Sequence, residues 1–343
     1  MGRVFLAGDV GGTKTNLALF EIARGRLTMR ASSRFPSREF SSLERLVVSF
    51  LEDHPMRVHA ACFGVAGPVV NGRCEATNLP WMIHSKALTR VLKRSPVSLI
   101  NDLAATAYGI HTLPPRAFAT LHLGTPQRGG TIAVIAAGTG LGEAALAWNG
   151  RSYQALPTEG GHTDFAPRND IEVDLFRYLA GKFGHVSYER LLSGPGKLAI
   201  YEFLRDTGRG QEPEWLRKRM SESDASAVVS EVALSGESSI CVQALELFVS
   251  LYGAEAGNLA LKMLATGGVY IGGGIAPTIL PKLQDGSFMR AFLDKGRLSA
   301  LLSKMPVRII LDDRAALFGA AYVAATGSAA GQRPTAGRSS KKK

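Results

Sequence analysis

Val4-Phe5-Leu6-Ala7-Gly8-Asp9-Val10-Gly11-Gly12-Thr13, followed by Lys14-Thr15-Asn16-Leu17-Ala18-Leu19-Phe20, decides the fold. An apolar run from Val4 to Ala7 ends in a glycine turn, and apolar character resumes over Asn16–Phe20. After a second turn at Gly25, Leu27–Phe35 repeats the pattern. Two such runs joined by a glycine turn predict a β-hairpin, and the third extends it into a meander. A Walker-type phosphate loop would pass from strand into helix. Here the chain goes strand, turn, strand, so any phosphate binding needs a different frame.

Working outward, Leu43, Leu46, Val47, Phe50 and Leu51 recur at helical spacing in Ser41–Leu51. Val58–Val65 reads as a buried strand, Asn71-Gly72 as a turn and Ser85–Lys93 as a helix. Val97–Ile100 is a short strand that delivers Asn101-Asp102 at its carboxyl end, before a helical Leu103–Ile110. The opening pattern then returns: strand Thr131–Ala137, turn Gly138-Thr139-Gly140-Leu141-Gly142, strand Glu143–Trp148. A repeated supersecondary unit predicts two related halves facing each other across a cleft. Ser238–Ala265 is a long apolar helical pattern, leading through Val269–Ile271 to Gly272-Gly273-Gly274. Val307–Leu311 reads as a late strand and Ala315–Ala325 as a small-residue helix packed on it, both expected to return to the first domain. Strands alternating with helices in both halves predict an α/β class. The expected division is a small domain of residues 1–111 plus about 307–326, a large domain of 112–306, and a tail, 327–343.

The chain has 343 residues, of which 45% are hydrophobic and 20% charged, enough to bury two ordinary cores. Its net charge is +11, but five of those charges lie in Gly327–Lys343, which leaves +6 elsewhere. That stretch is too poor in apolar residues to pack and reads as a disordered basic tail. Cys62, Cys74 and Cys241 are widely spaced and form no C-x-x-C pair. They read as reduced thiols of a cytoplasmic protein rather than as a disulfide frame or a zinc site. No signal peptide and no apolar run long enough to cross a bilayer are visible, so no membrane partner is expected.

Five segments carry candidate chemistry. In Asp9–Thr13, glycines let backbone N–H groups approach phosphate oxygens, Thr13 adds a hydroxyl donor, and Asp9 is placed to hold Mg²⁺ through water. A plain hairpin turn would use the same glycines. Gly138, Thr139, Gly140 and Gly142 make a second donor-rich turn, and two such turns suit a clamp on one polyphosphate. Asp102 is either a general base for an attacking hydroxyl or a cap on the helix beginning at Leu103. Glu159-Gly160-Gly161-His162, with Asp164 just beyond, is a polar loop able to bond several hydroxyls. Metal binding is disfavoured there because no neighbouring cysteine or second histidine completes a ligand set. Glu189 is either a second carboxylate for the same ligand or the first-turn acid of a helix capped by Ser187.

Taken together, Gly8–Thr13, Ile100–Asp102, Ala137–Gly142, Glu159–Phe165, Ser187–Gly196 and Gly268–Pro277 make the chain resemble the bacterial ATP-dependent glucokinases over Gly8 to about Ala325. The resemblance implies a two-domain actin-like ATPase (ribonuclease H-like) sugar kinase fold with an interdomain cleft, usually in a homodimer. It implies ATP and Mg²⁺ as cofactors, glucose as partner substrate, no zinc and no nucleic acid. By the same resemblance Asp102 is the general base, Asn101 bonds the sugar, and Glu159, His162 and Glu189 bind its other hydroxyls. Asp9–Thr13 and Gly138–Gly142 hold phosphates, and Gly272, Gly273 and Gly274 pass near adenosine. Many of these enzymes carry Asn then Ala-Arg after Gly-Gly-Thr; Lys14-Thr15-Asn16 stands here instead, and Lys14 is expected to add a cation near phosphate. The related repressor/kinase family carries a cysteine-rich zinc loop after its Glu-x-Gly-His, which this chain lacks. A kinase for another hexose or amino sugar, or a non-catalytic sugar sensor, would use the same residues.

Overall fold

The computed structural model describes residues 2–23, 26–76 and 79–327. The expected Gly25 turn and basic tail lie outside them. The chain divides into two compact units: one runs to Thr112 and resumes at Ala316, and the other is Leu113–Ala315.

The first unit is built on a five-stranded sheet. β1 (Val4–Val10), β2 (Lys14–Ala23) and β3 (Arg26–Pro36) form the meander, antiparallel throughout. β4 (Val58–Val65) then pairs parallel with β1. A small hairpin, β5 (Arg73–Glu75) and β6 (Met82–His84), stands apart, and β7 (Val97–Asn101) completes the order β3-β2-β1-β4-β7. α1 (Leu43–Asp53) starts where the Ser42 hydroxyl accepts from the Arg45 amide. It buries Leu43, Leu46, Val47 and Phe50, each worth about 1.5–3 kcal/mol if fully removed from water. α2 (Ser85–Val91) precedes β7, and α3 (Asp102–Gly109) follows it directly.

The second unit repeats the order with one strand added. β8 (Phe118–His122), β9 (Ile132–Ala137), β10 (Leu141–Trp148), β11 (Tyr153–Pro157), β12 (Gly268–Gly272) and β13 (Val307–Ile310) are ordered β11-β10-β9-β12-β13-β8. As in the first unit, an antiparallel meander is followed by two parallel pairings. The duplication expected from the glycine turns is therefore present in the strand order.

Two expectations are corrected. The late strand does not rejoin the first unit: β13 pairs with β12 and β8, placing Val307, Ile309 and Ile310 in the second sheet's core. An apolar run specifies a buried strand but not which sheet buries it. Only the following helix, Ala315–Thr326, crosses back. That helix packs on α3 and, through Phe318 against Phe20, on β2, rather than on β13. Tyr108 stacks on Tyr322, and a Cβ at Gly319 would collide with the Ala105 carbonyl.

Helices α4 (Asp170–Phe183), α5 (Gly194–Asp206), α6 (Glu214–Glu222), α7 (Ala225–Ser235) and α8 (Ser239–Met263) cover the second sheet. Among the described residues α8 alone reaches the length and mean hydropathy (1.2) of a membrane span, contrary to the expectation of none. It is a core helix, with 72% of that apolar window buried inside the unit.

Candidate active site

In the first unit, the Gly11-Gly12-Thr13 turn closes the β1–β2 hairpin with a bond from the Gly11 amide to the Lys14 carbonyl (3.0 Å). Ser37, fully buried, braces it from beneath. Its hydroxyl donates to the Gly11 carbonyl (2.8 Å) and pairs with the Thr15 hydroxyl (2.9 Å), while its amide donates to the Thr13 carbonyl. Asp9, at the end of β1, is half-buried and accepts from the Asn16 side-chain amide at 3.1 Å. Thr13 and Lys14 are exposed at the tip.

Two strands away, β7 ends at Asn101 and α3 begins at once. The expected cap moves by one residue: Asn101, not Asp102, is the N-cap, and its Oδ1 accepts from the Leu103 and Ala104 amides. Asn101 Nδ2 donates to the Gly67 carbonyl at 3.5 Å. Asp102 is the first helical residue, its Oδ1 accepting from the Leu103 amide at 2.9 Å. That bond orients the carboxylate at the positive end of the helix dipole, a favourable place for an anion.

In the second unit, the Gly138–Gly142 turn is held on three sides. The Gly138 amide donates to the Gly140 carbonyl, and the Gly194 amide, at the start of α5, donates to the Gly138 carbonyl (both 2.8 Å). The Leu141 amide donates to Glu189 Oε2 at 3.0 Å. A Cβ at Gly140 would lie 2.5 Å from that same oxygen, so the carboxylate reaches the turn only because residue 140 has no side chain. Glu189 sits in a short 3₁₀ turn, Tyr188–Arg190, that Ser187 does not cap through its side chain. The nearby serine that caps is Ser193, which accepts from the Gly196 amide and donates to the Glu189 carbonyl.

His162 Nδ1 lies 3.9 Å from Glu189 Oε1, so the two candidate sugar ligands meet. Glu159 and His162 are exposed at either end of the Gly160–His162 3₁₀ turn, closed by the His162 amide on the Glu159 carbonyl (3.0 Å). Its glycines serve the protein as much as any ligand. A Cβ at Gly160 would collide with the Glu143 carboxylate, and one at Gly161 with the Leu141 carbonyl. Asp164 turns aside to His185, at 2.7 Å. Gly272 ends β12 and Gly273 and Gly274 follow it, Gly273 taking φ +83°, a left-handed conformation that suits glycine.

Residues 6–327 match the family model described as Glucokinase. The chain belongs to the glucokinase family. A glucokinase of Nostoc sp. is 44% identical over 338 residues, covering 94% of this chain and 99% of its own. One from Synechocystis sp. is 41% identical over 350 residues, covering 95% and 99%. The crystal structure of a glucokinase from an Antarctic psychrotroph superposes with a TM-score of 0.84 at 31% identity, covering 95% of this chain and 99% of that one. The fold is accordingly the two-domain α/β fold of the sugar kinases.

Two buttresses of these glucokinase turns were not found by reading sequence. One is Ser37, which looks like any loop serine. The other is Tyr252, fully buried in α8: it accepts from the Ala137 amide at 3.2 Å, with the Ile135 and Gly272 carbonyls at 3.4 Å. It therefore ties the roots of the Gly138 and Gly272 turns together. Burial pushes its phenol far above its ordinary pKa, so it stays a neutral bonding group. A lone tyrosine in an apolar helix was the available signal, since a buried hydroxyl needs partners.

Proposed function

We propose that this chain transfers the γ-phosphoryl group of ATP to the 6-hydroxyl of glucose, giving glucose 6-phosphate and ADP. Membership of the glucokinase family supports the reaction. The carboxylate of Asp102 takes the hydroxyl proton as the oxygen–phosphorus bond forms and the bond to the β-phosphate oxygen breaks. Asn101 bonds the sugar, and Glu159, His162 and Glu189 hold its other hydroxyls. The Asp9–Thr13 turn with Lys14, and the Gly138–Gly142 turn, offer backbone and side-chain donors to phosphate. Gly272–Gly274 pass near adenosine.

The observation that carries this reading is the division of labour at the start of α3. Asn101 is the N-cap, and Asp102, one residue into the helix, has its carboxylate oriented by the Leu103 amide on one oxygen. Asp9, a half-buried carboxylate beside the phosphate turn, suits Mg²⁺, which keeps most of its waters and takes few protein oxygens. The ion would supply charge neutralisation on the phosphates. The family resemblance extends the reading to a cytoplasmic homodimer, which sedimentation would check.

The test is ADP formation with glucose, mannose, fructose and N-acetylglucosamine. Glucose is expected to give the highest kcat/KM. A higher value for another sugar would move the substrate assignment, and no turnover with any would favour a sensor.

A further inference from the structure

Glu143 and Glu255 are two carboxyl side chains, 2% and 0% exposed, at the heart of the second unit. Glu143 lies on β10, one residue past the Gly138–Gly142 turn, and Glu255 on α8. Their side chains lie in direct contact, and burial together with that contact raises the Glu143 pKa. Two ionised carboxylates hold no proton to share, so that contact requires one to be protonated.

The partners decide which one. Glu255 accepts from Lys262 Nζ at 3.0 Å through Oε1 and from Asn258 Nδ2 at 2.8 Å through Oε2, so both its oxygens serve as acceptors. Glu143 Oε1 is buried with no hydrogen-bond partner, a state an ionised carboxylate tolerates far less than a protonated acid does. Burial first, and the charge of Glu255 second, raise the Glu143 pKa to about 8, with Lys262 opposing.

Both ends of this pair lead to the proposed sugar ligands. The Glu143 carboxylate occupies the space under Gly160, and its carbonyl accepts from the Thr158 hydroxyl, which in turn accepts from the Gly160 amide. Glu255 continues through Asn258, whose Nδ2 also donates to the Tyr188 hydroxyl at 3.0 Å, next to Glu189. We propose that Glu143 and Glu255 form a proton-sharing positioning pair, setting the Glu159–His162 turn and the Glu189 segment in register for sugar binding. This rests on the assignment of Glu159, His162 and Glu189 to sugar. Neither member of the pair touches substrate.

Other charged and titratable groups facing the pair are Lys262 and Lys295 toward Glu255, the phenols of Tyr188 and Tyr252, and Arg168 near Tyr188. The phenols are raised far above neutral pH, and Lys262 donates to Glu255. Burial lowers the Lys295 pKa, which keeps the alkaline end of any profile within reach of two groups. The Glu143 variants separate them.

The experiment is glucose KM from pH 6.5 to 9.5 for the wild type, Glu143→Gln and Glu143→Ala, with ATP KM in parallel. Losing the shared proton places two charges side by side, so wild-type glucose KM is expected to rise about tenfold above pH 8, the effect of one pKa unit of coupling. ATP KM is expected to rise less. Glu143→Gln keeps a neutral donor and should flatten the glucose profile. Glu143→Ala should raise glucose KM throughout, with glutamine restoring most of the loss.

Folding gives a second readout. A carboxyl whose pKa is raised on folding contributes stability that is complete below its unfolded value and is lost as pH rises toward about 8. The wild-type melting midpoint should therefore fall through that window by more than that of Glu143→Gln. Superimposable glucose profiles for wild type and Glu143→Gln would overturn the pair's role. Glu159→Gln is measured alongside. If it leaves glucose KM unchanged, the assignment of the turn to sugar fails and the proposal with it; if it raises KM while the profiles coincide, the pair alone fails.

Discussion

The two glycine turns share one strand–turn–strand design and are supported in different ways. The Gly11–Thr13 turn rests on Ser37, a residue that meets it from just past β3 and bonds to Gly11 and Thr15. The Gly138–Gly142 turn is braced by Glu189, itself a candidate sugar ligand, and by Tyr252, which also holds the Gly272 carbonyl. Duplication therefore supplied two glycine turns, and among the described residues the second is braced by a proposed sugar ligand. Disturbing the first should affect nucleotide alone. Disturbing the second should be felt by both substrates.

Three substitutions probe that contrast. The largest effect is expected from Gly140→Ala, whose methyl would sit 2.5 Å from Glu189 Oε2. Pushing the carboxylate off the Leu141 amide should raise both glucose and ATP KM, with kcat/KM for glucose falling about 100-fold, the scale of a mispositioned binding group. A rise in ATP KM alone would break the link between turn and sugar. Gly138→Ala comes next: a Cβ there meets no atom within 4 Å, so the free protein should melt as before. Only a ligand approaching that backbone would be hindered, and ATP KM should rise about tenfold, or ~1.4 kcal/mol, with glucose KM steady. An unchanged ATP KM would remove the turn from the phosphate site. The smallest effect belongs to Ser37→Ala, which loses two side-chain bonds worth about 1 kcal/mol each. Much of that should appear as a lower melting midpoint, with a few-fold rise in ATP KM and none in glucose KM.

Both turns were legible in the sequence because glycines between apolar runs admit few other readings. The repeat they form also predicted two related halves, and the strand orders of the two sheets match in this way. What was not legible depended on distant contacts. Val307–Ile310 carries the same apolar signal whichever sheet takes it, and only pairing with Val269–Ile271 settles the matter. Asn101 and Asp102 are adjacent polar residues at a helix start, and the one-residue difference between cap and first turn depends on backbone angles that composition does not encode. Glu189 read equally well as a dipole-favoured acid, since its partner amide is 48 residues away. Glu143 opens the strand read as Glu143–Trp148 and carries no further signal in the sequence. Its burial follows from α8 covering β10's face, a tertiary fact.

The role proposed for Asp102 lies in the chemical step rather than in folding or binding. The direct measurement is the single-turnover rate of phosphoryl transfer in Asp102→Asn at saturating glucose and ATP, with glucose Kd determined on the same sample. Asparagine keeps the size and the contact to the Leu103 amide but accepts no proton. The rate is expected to drop by about 10²–10⁴-fold while glucose Kd shifts by no more than a few-fold. A variant that transfers phosphate at near wild-type rate would contradict the assignment of Asp102 as the base.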